Sequence, residues 1–355
     1  MSNNTTDCFD SEEIYRRTVS VIIPVFGVIG HVLSIIVLRD QRIQSTTATY
    51  LVSLAVSESV YLTVTFVSFA LPGLITAFNG PYMQYLNPVF YPLAICSQII
   101  SIYITVAFTA QRFFAIRWPL VARQWSTKRH TRMVIAGVIL AVLIYSAPRF
   151  FELKFAYQRV ECSTLIGQPR DFATTEWYEQ TYKTHSFLVI KLLVPFTLLT
   201  VLNFLLVREV KRANLSVELR PTNNQPAATE VNLTVTVIAV VVCFLLCQLP
   251  SIVLHFIIAV HGPGWTMASK ANNVFYNIAV SLVSLNSAIN FYLYCVFGRK
   301  FRKIFILKMR HTCARMRCIN RDGRFQETTL PLRSARRAEV METEAEDILP
   351  ANDHN

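Results

Sequence analysis

Seven stretches of this chain each run for about twenty residues with few or no charges, a length that crosses the hydrocarbon of a bilayer. Within hydrocarbon every backbone N–H and C=O must be satisfied inside its own segment, so such stretches are expected to be helices. The candidates are Thr18 to Leu38, Ala48 to Pro72, Pro88 to Phe114, Met133 to Pro148, Ser186 to Val210, Val231 to Val260 and Ala271 to Phe297. Gln98, Ser101 and Tyr103 interrupt the third, and Lys191 interrupts the fifth. With 53% hydrophobic and only 16% charged residues, the composition is that of a polytopic membrane protein. The expected fold is all-α, an integral-membrane bundle of seven transmembrane helices over residues 18–309, with an outer tail at 1–17 and a disordered tail at 310–355.

Basic residues orient the bundle. Arg39 and Arg42 follow the first stretch, Arg117, Arg123, Lys128, Arg129 and Arg132 the third, Arg208, Lys211, Arg212 and Arg220 the fifth, and Arg299, Lys300, Arg302 and Lys303 the seventh. The alternate connections hold few bases, or balance them with acids such as Glu152, Glu161 and Asp171. The basic side is therefore expected to be cytoplasmic and the N-terminus extracellular. Arg16 and Arg17 sit on the wrong flank, offset by Asp10, Glu12 and Glu13. No secretory signal precedes the first stretch, which is expected to direct its own insertion. The net charge of +12 is spread along one membrane face, where anionic lipids attract it, rather than gathered in a nucleic-acid-binding domain. Sequons at Asn3 and Asn4 are available for glycosylation on the outer tail. No CxxC-type metal cluster and no nucleophile with a plausible base occur, so an enzyme is not expected.

Individual motifs narrow the class. AQRFFAIRWPL closes the third stretch, FLLCQLP the sixth, and NSAINFYLY followed by CVFGRKFR the seventh. GHVLSIIVL, YLVSLAVSE and LLVPFTLLTVLN lie in the first, second and fifth. At these positions, between about Ser20 and Arg302, the chain resembles the rhodopsin-like G protein-coupled receptors. The pattern around YPLAICSQIISIYITVAFTAQRFFAI is similar to invertebrate FMRFamide-like neuropeptide receptors. The resemblance implies a plasma-membrane, multi-pass receptor for an extracellular peptide that acts on heterotrimeric G proteins, with receptor kinases and arrestin as further partners.

It also implies site residues. The family's Asp-Arg-Tyr is here Gln111-Arg112-Phe113, so Arg112 loses its adjacent carboxylate. Glu230, at the start of the sixth stretch, either pairs with Arg112 across the helix gap or decorates a solvated helix start. The family's CWxP is Cys247-Gln248-Leu249-Pro250. Pro250 removes a helical N–H and is expected to hinge the helix, with Phe244 the nearest remaining aromatic. Glu58 and His31 stand where the family has aspartate and asparagine. With Ser101, Asn286 and Asn290 they match its sodium-and-water pocket, but the longer Glu58 argues against sodium; a carboxyl that carries its proton is the alternative. Asn286, Asn290 and Tyr294 recur at steps of four and are expected to form one switch stripe facing Glu58 and Ser101. Phe291 takes the place of the family's proline, which suggests a straighter seventh helix.

The family's disulfide lacks its third-stretch cysteine, since that position is Asn87. Cys96 lies nine residues deeper, or ~13 Å along a helix. A bridge between Cys8 and Cys162 is the expectation in its place. The amine-binding aspartate and the retinal lysine of the family are here Ala94 and Ser284, which disfavours both ligand classes. Candidate ligand contacts are Tyr91, Gln98, Trp177, Lys191, His255 and Tyr276. Lys191 either snorkels or, facing the bundle, binds an acidic or carbonyl group. Leu120 matches a G protein contact beside Arg112. Phe297, Phe301, Ile304 and Phe305 form the apolar face of a short amphipathic eighth helix. Cys313 and Cys318 are candidates for palmitoylation, and Thr328, Thr329 and Ser334 for phosphorylation. A small-molecule chemoreceptor on the same fold, or a seven-helix protein that does not signal, remain as other readings; a transporter would show pseudo-symmetric halves.

Overall fold

A computed structural model describes residues 11–40, 45–71, 81–160, 164–219, 225–298 and 301–310. Cys8, Cys162, Asn3, Asn4, Cys313, Cys318 and the three tail hydroxyl residues lie outside the described residues, as does the side chain of Glu230. The chain divides into two compact units, Met1–Phe305 and Ile306–Asn355. In the second, residues 306–310 are helical.

Among the described residues, the first unit holds seven helices long and apolar enough to cross a membrane: Val19–Leu38, Thr46–Ser68, Leu86–Arg117, Lys128–Phe150, Trp177–Arg212, Ile238–His261 and Lys270–Phe297. These spans extend several predicted stretches, because polar residues at the ends continue a helix that hydropathy alone would stop. Caps set three of the starts. Ser45, Thr127 and Ser269 each accept, through the side-chain oxygen, a backbone N–H three residues on, at 3.2 Å in every case. Gly262, at φ +82°, follows the sixth helix in a conformation that side chains resist.

Consecutive spans pack together from the first to the fourth and from the fifth to the seventh, and the first closes the ring against the seventh; the fourth and fifth meet through the Tyr145–Ser186 and Tyr182–Tyr145 hydrogen bonds. The third touches the second, fourth, fifth and sixth. It is accordingly the most buried, at 61% of its apolar window against 22% for the fourth. One apolar core joins Tyr50, Leu54, Ile104, Phe108, Leu199, Val241 and Phe244 across the second, third, fifth and sixth spans. Phe26, Ile29, Leu140, Ile144, Phe204 and Phe256 point outward, as lipid contact requires.

Small residues bring the first and seventh spans together. A Cβ on Gly27 would lie 2.7 Å from Ala288 Cβ, and one on Gly30 would lie 2.9 Å from Phe291 Cβ. Phe291 therefore fills space that Gly30 leaves, and the seventh span runs as one unbroken helix, Lys270–Phe297. Phe301 and Ile304, on the helical segment that follows, are buried against this region, while Phe297 is exposed.

The predicted all-α bundle carries one addition, a hairpin between the fourth and fifth spans. Strand β1 (Leu153–Val160) pairs antiparallel with β2 (Thr164–Pro169), with Tyr157 opposite Gly167 and an irregularity between Leu153 and Tyr157. The fifth span then begins as two π-helical segments, Trp177–Ser186 and Leu188–Leu193, before the α-helix Val194–Leu219. A wider i→i+5 helix shifts which residues share a face.

Candidate functional site

Glu58 sits in mid-bundle, 2% exposed. Asn290 of the seventh span donates its amide to both carboxylate oxygens, at 2.7 and 2.8 Å, and Ser101 of the third donates its hydroxyl to Oε1 at 3.1 Å. His31 of the first span places Nε2 3.6 Å from Oε2 and 2.7 Å from the Ser287 carbonyl, to which an imidazole N–H donates. The carboxylate thus ties the second, third and seventh spans, and His31 fastens the first to the seventh beside it. In this arrangement the amide and the hydroxyl aimed at the carboxylate both donate to it. Among the described residues no group of three or more His, Cys, Asp and Glu could hold a metal ion.

The predicted stripe divides here. Asn290 reaches Glu58, but Asn286 is half-buried and has no described hydrogen bond to it. Tyr294 is buried in an apolar cluster with Val37, Val240, Phe291 and Phe301, its ring 5.8 Å from that of Phe301. Steps of four on a helix drift round the axis, so only part of such a stripe meets one partner.

At the basic end of the bundle, Arg112 is 5% exposed, with its guanidinium 5.9 Å from the Phe108 ring. Gln111 takes up other partners. Its amide donates to Thr46 Oγ1 at 2.9 Å and Ser126 Oγ at 2.6 Å, and those two hydroxyls are 3.1 Å apart. A neutral residue in the family's carboxylate position thus fastens the second and third spans to the connection before the fourth. The short helix Pro119–Trp125 in that connection exposes Leu120 at 77%. Gln248 and Phe244 are buried in the sixth helix, which contains Pro250. Gln248 Oε1 has no described hydrogen-bond partner.

At the opposite end, Lys191 is buried rather than snorkelling, its ammonium 4.5 Å from the centre of the Phe187 ring. Arg149, at the end of the fourth span, places its guanidinium 4.9 Å from the same ring. His255 lies against Phe187 at 5.4 Å and contacts the Ser251 carbonyl through Nδ1 at 2.7 Å. Glu152 sits 3.9 Å from Arg149 and 2.7 Å from Lys183, and accepts from the Tyr178 hydroxyl at 3.5 Å. Tyr182 donates to the Tyr145 carbonyl at 2.6 Å. Gln98 is buried with its amide nitrogen lacking a described partner, while Tyr91, Trp177 and Tyr276 are exposed.

Residues 30–294 match the model of the 7 transmembrane receptor (rhodopsin family). The chain belongs to that family. It is a family of receptors, not enzymes, and this receptor is a multi-pass membrane protein. It is 28% identical to the FMRFamide receptor of Drosophila melanogaster over 81% of its own length and 52% of that protein's, so it spans about half of this relative. It is 26% identical to the FMRFamide peptide receptor frpr-18 of Caenorhabditis elegans, covering 86% of this chain and 71% of the other. The Allatostatin-A receptor of Bombyx mori is 24% identical over 85% of this receptor and 83% of its own length.

Arg149 and Phe187 are site residues that the sequence reading missed. A signal for Arg149 existed, since an arginine beside Pro148 at the end of a span runs against the charge asymmetry of the other connections. Phe187 carried none, because one phenylalanine among many apolar residues is indistinguishable from core.

Proposed function

We propose that this receptor is activated by an extracellular peptide of the neuropeptide class and passes the signal to heterotrimeric G proteins across the plasma membrane. The hairpin end then faces outward and the basic end lies in the cytoplasm. The observation that carries the reading is the agreement of relatives from three invertebrates, each named as a peptide receptor, over four-fifths or more of this chain. The hairpin, exposed Trp177 and half-buried Tyr182 supply anchors of the kind a peptide uses at a pocket mouth. A β-hairpin also offers backbone donors and acceptors to an extended ligand.

At the basic end, exposed Leu120, Val121 and Trp125 beside buried Arg112 give a G protein an apolar contact next to a charge. The Gln111 latch holds that connection in place, and Pro250 allows the inner half of the sixth span to swing from it. Receptor kinases and arrestin are assigned to the tail. Membrane lipids are further partners: a cleft of about 270 Å³ lined by Arg39, Lys128 and Arg132 with Ser45, Thr49 and Ser53 suits an anionic headgroup. The test is a calcium and cyclic-AMP reporter assay of surface-expressed receptor against a library of amidated peptides. A saturable response to some of them is expected; silence across the library with normal surface expression would replace the peptide by a small molecule.

A further inference from the structure

Charge is unbalanced around Phe187. Arg149 and Lys191, 4% and 8% exposed, both approach its ring, and Lys183 stands nearby. The carboxylate described among them is that of Glu152, which Arg149 and Lys183 already share. Among the described residues no carboxylate lies within ion-pair distance of the Lys191 ammonium. A buried ammonium loses its hydration, and contact with one aromatic face recovers only part of that loss. Snorkelling does not relieve it, because the side chain is buried and its ammonium lies over Phe187. The described residues thus hold a cation and no carboxylate within ion-pair distance of it.

Resting on the peptide-receptor reading, we infer that Lys191, with Arg149 and Phe187, forms an anion subsite that takes a carboxylate of the ligand. Ile95, Ile99 and Val142 pack on Phe187 and make the surroundings apolar, which strengthens attraction to an anion. Gln98, on the helix of Ile95 and Ile99, carries a buried amide donor with no described partner. The same two cations repel a guanidinium, so an arginine of a peptide ligand binds elsewhere. The carboxylate is supplied either by an Asp or Glu side chain or by a free C-terminus.

Two measurements on the full-length receptor decide this. The first needs no agonist. In purified unliganded receptor, Lys191→Met should raise the thermal midpoint by a few degrees, because an uncompensated charge is removed. Millimolar 3-phenylpropionate should stabilise wild type more than its neutral amide does, and that difference should vanish in Lys191→Met. A fall in midpoint on Lys191→Met, or equal shifts from acid and amide, would overturn the subsite whatever the library assay gives. The second takes any activating peptide and compares Asp→Asn or Glu→Gln versions, and C-terminal acid with C-terminal amide. One of these changes should cost tenfold or more in potency on wild type and under twofold on Lys191→Met, and which one does so identifies the source of the carboxylate. Lys191→Arg should retain part of the discrimination. Activation by peptides whose potency ignores every carboxylate would refute the subsite while leaving the peptide reading intact.

Discussion

Around Glu58, one carboxylate meets an amide, a hydroxyl and an imidazole from three other spans, whereas around Phe187 the described carboxylate, Glu152, pairs with Arg149 and Lys183 and leaves the second buried cation, Lys191, outside ion-pair distance. Both clusters put charge-bearing groups where water is scarce. In the first, polarity is matched inside the protein, so its effect is to hold four helices in register. In the second, among the described residues, no carboxylate matches Lys191, and in the proposed subsite the ligand supplies it. Buried polar groups that are satisfied rigidify, and those that are not are poised for a ligand.

Substitutions can break this contrast. Removing the acceptor should cost most: Glu58→Ala leaves the Asn290 amide and Ser101 hydroxyl unpaired and is expected to lower stability by about 3 kcal/mol, read as the thermal midpoint of purified receptor and as lost surface expression. An unchanged midpoint would mean that Glu58 ties nothing together. Glu152→Gln should come next, at about 2 kcal/mol, since it strips the shared anion from Arg149 while Lys183 can still turn to water. If the cost exceeds that of Glu58→Ala, the cationic cluster is the tighter of the two.

Smaller effects sharpen the comparison at the basic end. Gln111→Ala removes the donor to Thr46 and Ser126 and should cost about 1 kcal/mol, with a measurable change in basal G protein activity. Unaltered basal activity would make the latch purely structural. Tyr294→Phe should change stability least, within about 0.5 kcal/mol, because its hydroxyl has no described hydrogen bond in this arrangement. Agonist-driven signalling should nevertheless fall; if it stays intact, Tyr294 is not part of the switch.

Much of the architecture could be read in advance. The predicted stretch Thr18 to Leu38 became the span Val19–Leu38, and Ala271 to Phe297 became Lys270–Phe297. The fifth was harder, since Ser186 to Val210 lengthened to Trp177–Arg212 through polar residues. Those residues form π-helix, and the extra width is why spacing could not say which way Lys191 faced. The hairpin went unforeseen. Of the Asn286, Asn290 and Tyr294 stripe, expected to face Glu58 and Ser101, Asn290 bonds Glu58 while Tyr294 packs in an apolar cluster.

Sequence by itself determined the seven membrane-length helices found among the described residues, because hydrocarbon imposes on each segment a local demand for apolar length and internal hydrogen bonds. Residue types alone also marked Glu58 and Lys191 as costly inside a membrane. Tertiary structure decided what each of them meets. Asn290 lies 232 residues from Glu58 along the chain, and Arg149 and Lys191 reach one ring only because the fourth and fifth spans stand side by side. Close approach of Gly30 to Phe291 belongs to the same class. A side chain's cost is a property of its own chemistry, while its compensation depends on groups that only packing brings near.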